Sequence, residues 1–102
     1  MIADIEVHRA ELAELCRRHH VLRLSVFGSA TRDDFDPARS DLDFLVDFAP
    51  LPTGEYAEAF FGLLESLESL FGRPIDLVVD SAIRNPYFRL SVDQTKASLY
   101  AA

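Results

Sequence analysis

Apolar residues recur with two different periods along this chain, and the switches between them mark out its elements. Between residues 4 and 19, Ile5, Leu12 and Leu15 share one face of a helical wheel with a polar remainder, which predicts an amphipathic helix. Residues 21–27, VLRLSVF, alternate instead, with Leu22, Leu24 and Val26 opposing Arg23 and Ser25; that period predicts a strand closed by Phe27. Gly28-Ser29 breaks the strand, a short helix or turn is expected next, and the Asp-, Pro- and Ser-rich stretch 33–40 reads as a loop. A second strand follows over 42–48, LDFLVDF, where Leu42, Phe44 and Val46 oppose Asp43, Leu45 and Asp47. Beyond the breakers Pro50, Pro52 and Gly54, the residues Tyr56, Phe60, Leu63, Leu64, Leu67, Leu70 and Phe71 hold helical spacing and predict a core-facing helix. Gly72 stands where a C-cap glycine belongs. Pro74 leads into a third strand, IDLVVD at 75–80. Asn85 as N-cap and Pro86 at the first helical position then open a last helix, with Phe88, Val92, Thr95 and Leu99 recurring along it.

The order α-β-(α)-β-α-β-α predicts an α+β fold, or α/β sandwich: a small mixed β-sheet of about three strands covered by helices. Such a sheet is too small for a dinucleotide-binding fold, and no G-x-G-x-x-G is present. At 102 residues the chain is expected to form one domain, 1–102, without room for a second that reads a substrate. Apolar residues at 49% and charged residues at 26% are a globular balance. No apolar run reaches the ~18 residues of a membrane span and no leader pattern opens the chain, so a soluble, cytoplasmic protein is expected. The one cysteine, Cys16, excludes an internal disulfide and falls within a helical pattern, where a packed residue is expected.

Charge changes the picture more. Ten basic and seventeen acidic residues give a formal charge of −7, which argues against broad binding to a nucleic-acid backbone. It does not argue against a nucleotide held through metal ions, because clustered carboxylates recruit those ions. The acidity is uneven: Asp33, Asp34, Asp36, Asp41, Asp43 and Asp47 crowd into one short stretch.

Three features of that region fit one purpose. Gly28-Ser29 ends a strand, so the glycine allows close backbone approach while the serine hydroxyl and free amides face an anion. Asp41 and Asp43 are separated by one residue at the start of a strand, and the period of two puts both carboxylates on one face. Held that close they repel by on the order of a kcal/mol or more. Hard divalent cations such as Mg²⁺ relieve the repulsion and let phosphate complete their shell. Asp76, opening the third strand, could complete the set on an adjacent strand, and two metals would then clamp an in-line nucleotidyl displacement.

G-S, a loop, D-x-D and a distant D resemble the DNA polymerase beta superfamily of nucleotidyltransferases, and more narrowly its minimal nucleotidyltransferases. The resemblance covers the first helix, the FGS strand end, the DLDFLV and PIDLV strands and the NPYF helix start. It implies a nucleotidyltransferase fold and a phosphate-binding turn at Gly28 and Ser29, with Arg32 and Ser40 also on the nucleotide. It further implies catalytic, metal-holding carboxylates at Asp41, Asp43 and Asp76, with two Mg²⁺ ions for which Mn²⁺ could substitute. The family includes antitoxins paired with HEPN-domain toxins, some of which they silence by transferring AMP to a tyrosine. ATP as donor, a HEPN toxin as partner and acceptor, and an adenylyltransferase antitoxin are therefore the implied function; the partner could also be a second copy in a homodimer. The alternative is a non-catalytic antitoxin, a nucleotide-binding module that neutralises its partner by complex formation. A small-molecule acceptor would demand a pocket this chain is too short to build alone. Two features depart from the family: the loop 30–40 is one residue longer than is common, and Asp33 stands where relatives often carry glycine.

Plainer roles are expected for the other polar residues. Asp33, Asp34 and Asp36 read as solvated loop positions, Asp47 as an edge-strand solubility residue, and Asp80 as a cap at the strand's end. His19 and His20 follow a helix whose C-terminus favours a cation. Tyr56 and Phe60 are expected in the core, whereas Tyr87, Phe88 and Tyr100 fit either core or a partner surface.

Overall fold

The computed structural model describes residues 3–31 and 41–102. The first helical segment is divided into α1 (Ala3–Val7) and α2 (Arg9–Arg18). At the division the His8 ring turns back onto the Asp4 carbonyl, with Nδ1 2.8 Å from that oxygen, and its edge rests on Phe71. Despite the break, Ile5 and Leu12 are both fully buried, as their shared face predicts, and Cys16 is buried with them.

Strand β1 (Val21–Phe27) runs into a 3₁₀ turn, Gly28–Thr31, and β2 (Leu42–Phe48) returns antiparallel beside it. Helix α3 (Glu55–Phe71) then crosses over to β3 (Ile75–Val79), which lies parallel to β2. That is a βαβ unit, and Gly72 ends its helix in the left-handed conformation at φ 62°, as the sequence predicts. A second 3₁₀ turn, Asp80–Ala82, precedes α4 (Pro86–Thr95). Asn85 caps this helix by accepting from the backbone N–H groups of Tyr87 and Phe88 at 2.8 and 3.2 Å. Asn85→Ala is expected to lower the unfolding free energy by ~1 kcal/mol, measured as a shift of the urea midpoint at unchanged slope.

Helix α4 stops at Thr95, whereas its apolar spacing predicts a helix running on to Leu99. Residues Ala97–Ala101 instead form β4, antiparallel to β1, which among the described residues gives four strands in the order β3-β2-β1-β4 rather than three. The free edge of β1 supplies a ladder for these residues, and Leu99 and Tyr100 reach the core from a strand as well as they would from a helix. Arg9 of α2 donates to the Ser98 and Leu99 carbonyls at 3.5 and 3.4 Å, tying β4 to the first layer.

The sheet divides its side chains by parity. Val21, Leu24 and Val26 of β1, with Leu42, Phe44, Val46 and Phe48 of β2, form the main core under α1–α3. A bulge between Val21 and Arg23 shifts the inward residue to Val21 and leaves Leu22 37% exposed, opposite to simple alternation. The second face carries Arg23, Ser25 and Phe27 of β1 and Asp43, Leu45 and Asp47 of β2. Its smaller cluster of Phe27, Leu45 and Val92 lies beneath α4. Cys16 is fully buried and its thiol is pushed up to about 12 by that burial, so it is packing and not a nucleophile. Tyr56, expected in the core, is 40% exposed with its edge against Phe48. Among the described residues no helix is long and apolar enough to cross a membrane.

Candidate active site

The second face of the sheet has three zones, set by strand register. At its centre Phe27, Leu45 and Val92 pack together, and Phe88 meets Phe27 edge-on at 6.0 Å. At one end Asp47 pairs with Arg23 across β1 and β2, while Arg89 of α4 holds Asp80 at 2.7 Å and Asp93 at 3.5 Å. This corrects the reading of Asp47: β2 is an interior strand, so the residue is not edge-strand solubility but half of a cross-strand ion pair. Asp80, expected to cap a helix or turn, lies instead inside the 3₁₀ turn, which has no side-chain cap bond, and its carboxylate is held by Arg89.

The opposite end gathers the candidate chemistry. Asp43 is the cross-strand partner of Phe27 on β1 and of Asp76 on β3. Because β2 and β3 are parallel and in register there, the two carboxylates stand side by side on one face of strands spaced ~4.8 Å apart. Gly28 immediately follows Phe27 at φ 72°, and a Cβ built on it would lie 2.7 Å from Asp43 Oδ2. The turn is thus glycine for two reasons: a left-handed backbone, and a carboxylate leaning against its Cα. Asp41 precedes β2 by one residue and is exposed, as is Asp76; Ser29 is half-buried in the turn. Arg32 and Ser40 lie outside the described residues, as do Asp33, Asp34 and Asp36.

The fold therefore brings together Gly28, Ser29, Asp43 and Asp76, with Asp41 at the mouth of the same strand. Among the described residues no group of three or more His, Cys, Asp or Glu side chains is arranged to hold a metal ion by itself. The donor set nonetheless suits Mg²⁺, a hard cation commonly held by one or two carboxylates with substrate phosphates and water completing its octahedron. His19 takes no part: it lies on the helical side, with Nε2 3.2 Å from Ser66 Oγ, and burial with Arg18 and His20 nearby holds its pKa below the usual value.

A family profile for the nucleotidyltransferase domain matches residues 9–97, nearly the whole chain. The chain belongs to the nucleotidyltransferase domain family. A protein adenylyltransferase of Thermococcus cleftensis, MntA, is 37% identical to this nucleotidyltransferase over 81 residues, covering 79% of this chain and 75% of the relative. A solved structure provisionally designated a minimal nucleotidyltransferase is 32% identical with a TM-score of 0.72, covering 90% of this chain and 89% of the other. The fold also matches, at 18% identity and a TM-score of 0.65, a chain in the complex of a tri-AMPylated HEPN toxin with an MNT antitoxin from Shewanella oneidensis. That match covers 96% of this chain and 73% of the other. The expected nucleotidyltransferase fold and enzyme class are borne out, with one strand more than expected.

One residue bonded to the candidate site escaped the sequence reading. Thr95, read as part of a helical core face, accepts the Gly28 N–H at 2.9 Å through its hydroxyl oxygen. Only its place at the end of a helix, before a short β-type run, could have hinted at a contact so distant in sequence.

Proposed function

We propose that this nucleotidyltransferase transfers AMP from ATP to a tyrosine hydroxyl of a HEPN-type toxin, and that it acts as the toxin's antitoxin. The observation that carries the reading is the register of Asp43 with Asp76 beside the Gly28 turn, which puts two carboxylates and a close backbone approach at one end of the sheet. The adenylyltransferase relative and the AMPylated toxin–antitoxin complex of the same fold support the acceptor class. We take residues 1–102 as one minimal catalytic domain whose acceptor is brought by the partner.

In this reading Gly28 and Ser29, with Arg32 and Ser40, receive the triphosphate. Asp41, Asp43 and Asp76 would hold Mg²⁺, which when bound would neutralise phosphate charge and polarise the α-phosphate. Asp76, exposed at the strand edge, faces the incoming hydroxyl and accepts its proton. The tyrosine oxygen forms a bond to the α-phosphorus, the bond from that phosphorus to the bridging oxygen breaks, and pyrophosphate leaves with the electron pair.

The test is the intact mass of a HEPN-type partner incubated with the wild-type chain, ATP and Mg²⁺, with and without excess EDTA. A partner heavier by one or more AMP units, only where metal is free, is the expected outcome. A partner that co-purifies and is neutralised but stays unmodified in both would overturn transfer and leave a binding antitoxin.

A further inference from the structure

We propose that Thr95 is a positioning residue of the active site: its hydroxyl fixes the Gly28 turn against Asp43 and so sets the shape of the phosphate- and metal-binding end of the sheet. The inference rests on the proposed function above, in which that turn receives the triphosphate.

A hydroxyl offers one donor and two acceptor sites, and Thr95 uses both kinds. It donates to the Ser91 carbonyl one helical turn back at 3.0 Å, and it accepts the Gly28 N–H at 2.9 Å. The first bond is local and common for threonine in a helix. The second is not: it joins residues 67 apart in sequence and falls on the glycine that adjoins the carboxylate. Gly28 is gripped on its other side too, since its carbonyl accepts from Thr31 Oγ1 at 2.9 Å. With N–H and carbonyl both held, the peptide groups flanking Gly28 have little freedom to rotate. That matters because Asp43 Oδ2 lies where a Cβ at position 28 would be, so any shift of the turn moves against a proposed metal ligand.

The fold makes Thr95 a rigid anchor. It is the last residue of α4; the next, Lys96, donates its N–H to the Val92 carbonyl, and Val92 is fully buried against the sheet. One residue later β4 begins, with Ala97 in register with Val26, two positions before Gly28. The hydroxyl is therefore held between a packed helix and a strand ladder that both end at the turn. It also occupies the Gly28 amide, which assigns any backbone contact to phosphate to the amides after it.

The test compares the wild-type chain with Thr95→Val, which keeps the shape and deletes the hydroxyl, and Thr95→Ser, which restores it. Binding of the non-transferable α,β-methylene analogue of ATP with Mg²⁺ is measured by calorimetry, and thermal melting is followed in parallel. T95V is expected to bind roughly three- to tenfold more weakly, T95S within about twofold of wild type, and KM for ATP in AMP transfer is expected to move with Kd. A T95V protein that binds as wild type, or a T95S protein as weak as T95V, overturns the inference; so does a lowered melting temperature with unchanged Kd and KM, which marks a merely structural hydroxyl. A measurement that needs no variant is amide exchange at Gly28 in the wild type, where slow exchange is expected and fast exchange overturns the bond. A wild-type chain that fails to bind the analogue at all refutes the proposed function, and the inference with it, even if the Gly28 amide is protected.

Discussion

Asp43→Asn is expected to reduce kcat for AMP transfer by about 10²–10³-fold or more, the scale on which removing one preorganised electrostatic group acts, with the chain still folded. The asparagine keeps size and shape but removes the charge that a hard cation seeks. Asp43 is the informative member of the three carboxylates because register places it between Phe27 of β1 and Asp76 of β3. The other two are exposed and can move; Asp43 is half-buried on an interior strand and is fixed by the sheet. Its side chain belongs to neither apolar cluster and asparagine keeps its shape, so the unfolding free energy is expected to change by no more than the ~0.5–3 kcal/mol of an ordinary substitution. The paired measurement is single-turnover AMP transfer at saturating ATP alongside a urea titration. Wild-type transfer by the variant would remove Asp43 from the chemistry, and a collapsed unfolding transition would reassign it to structure.

That pairing of a catalytic change with a quiet fold reflects how much of each was readable from residues. The β2 stretch LDFLVDF declared its own two faces, because a half-buried strand sorts apolar from polar residues by parity alone. The long apolar helix ending at Gly72 and the Asn85-Pro86 start of α4 were legible for a similar reason: each signal is local, and the residues that carry it touch within a turn. Residues 97–101 were not. Their apolar positions satisfy a helical period by coincidence, and what decides for β4 is the open edge of β1, some seventy residues earlier, which no local pattern contains. Leu22 failed likewise, because one bulged residue reverses parity while leaving composition unchanged.

The site shows the same division. Asp43 and Asp76 could be nominated because each opens a strand, yet their adjacency depends on β2 and β3 being parallel and in register, a property of the crossover and not of either segment. Asp47 was misplaced because its role comes from the strand order: on an edge it would be a solubility residue, and inside the sheet it meets Arg23. Thr95 was invisible as a site residue, since its two bonds reach one near and one distant backbone group and only the near one follows from helical spacing.

Gly28→Ala is expected to combine two penalties that a second glycine separates. Gly28 and Gly72 both sit at positive φ, 72° and 62°, where an alanine costs ~1–2 kcal/mol of backbone strain. Around Gly72 nothing lies within 4 Å of an added Cβ, so Gly72→Ala carries the strain alone. At Gly28 the new methyl would stand 2.7 Å from Asp43 Oδ2, a separation that real contacts do not reach, so the carboxylate or the turn must give way. Thr95 and Thr31 hold the turn on both sides and the sheet holds the Asp43 backbone, so the clash displaces the carboxylate, the turn or both from the arrangement the site requires. G28A is then expected to lose about as much transfer activity as Asp43→Asn, while its stability falls by no more than a kcal/mol or so beyond that of G72A. G72A is expected to keep wild-type transfer despite its lower urea midpoint. Equal activity in the two glycine variants would mean that contact with Asp43 is not what the active site requires of position 28. If G28A is inactive and G72A unaffected, the glycine is required by the carboxylate beside it, and the turn and the aspartate act as one unit.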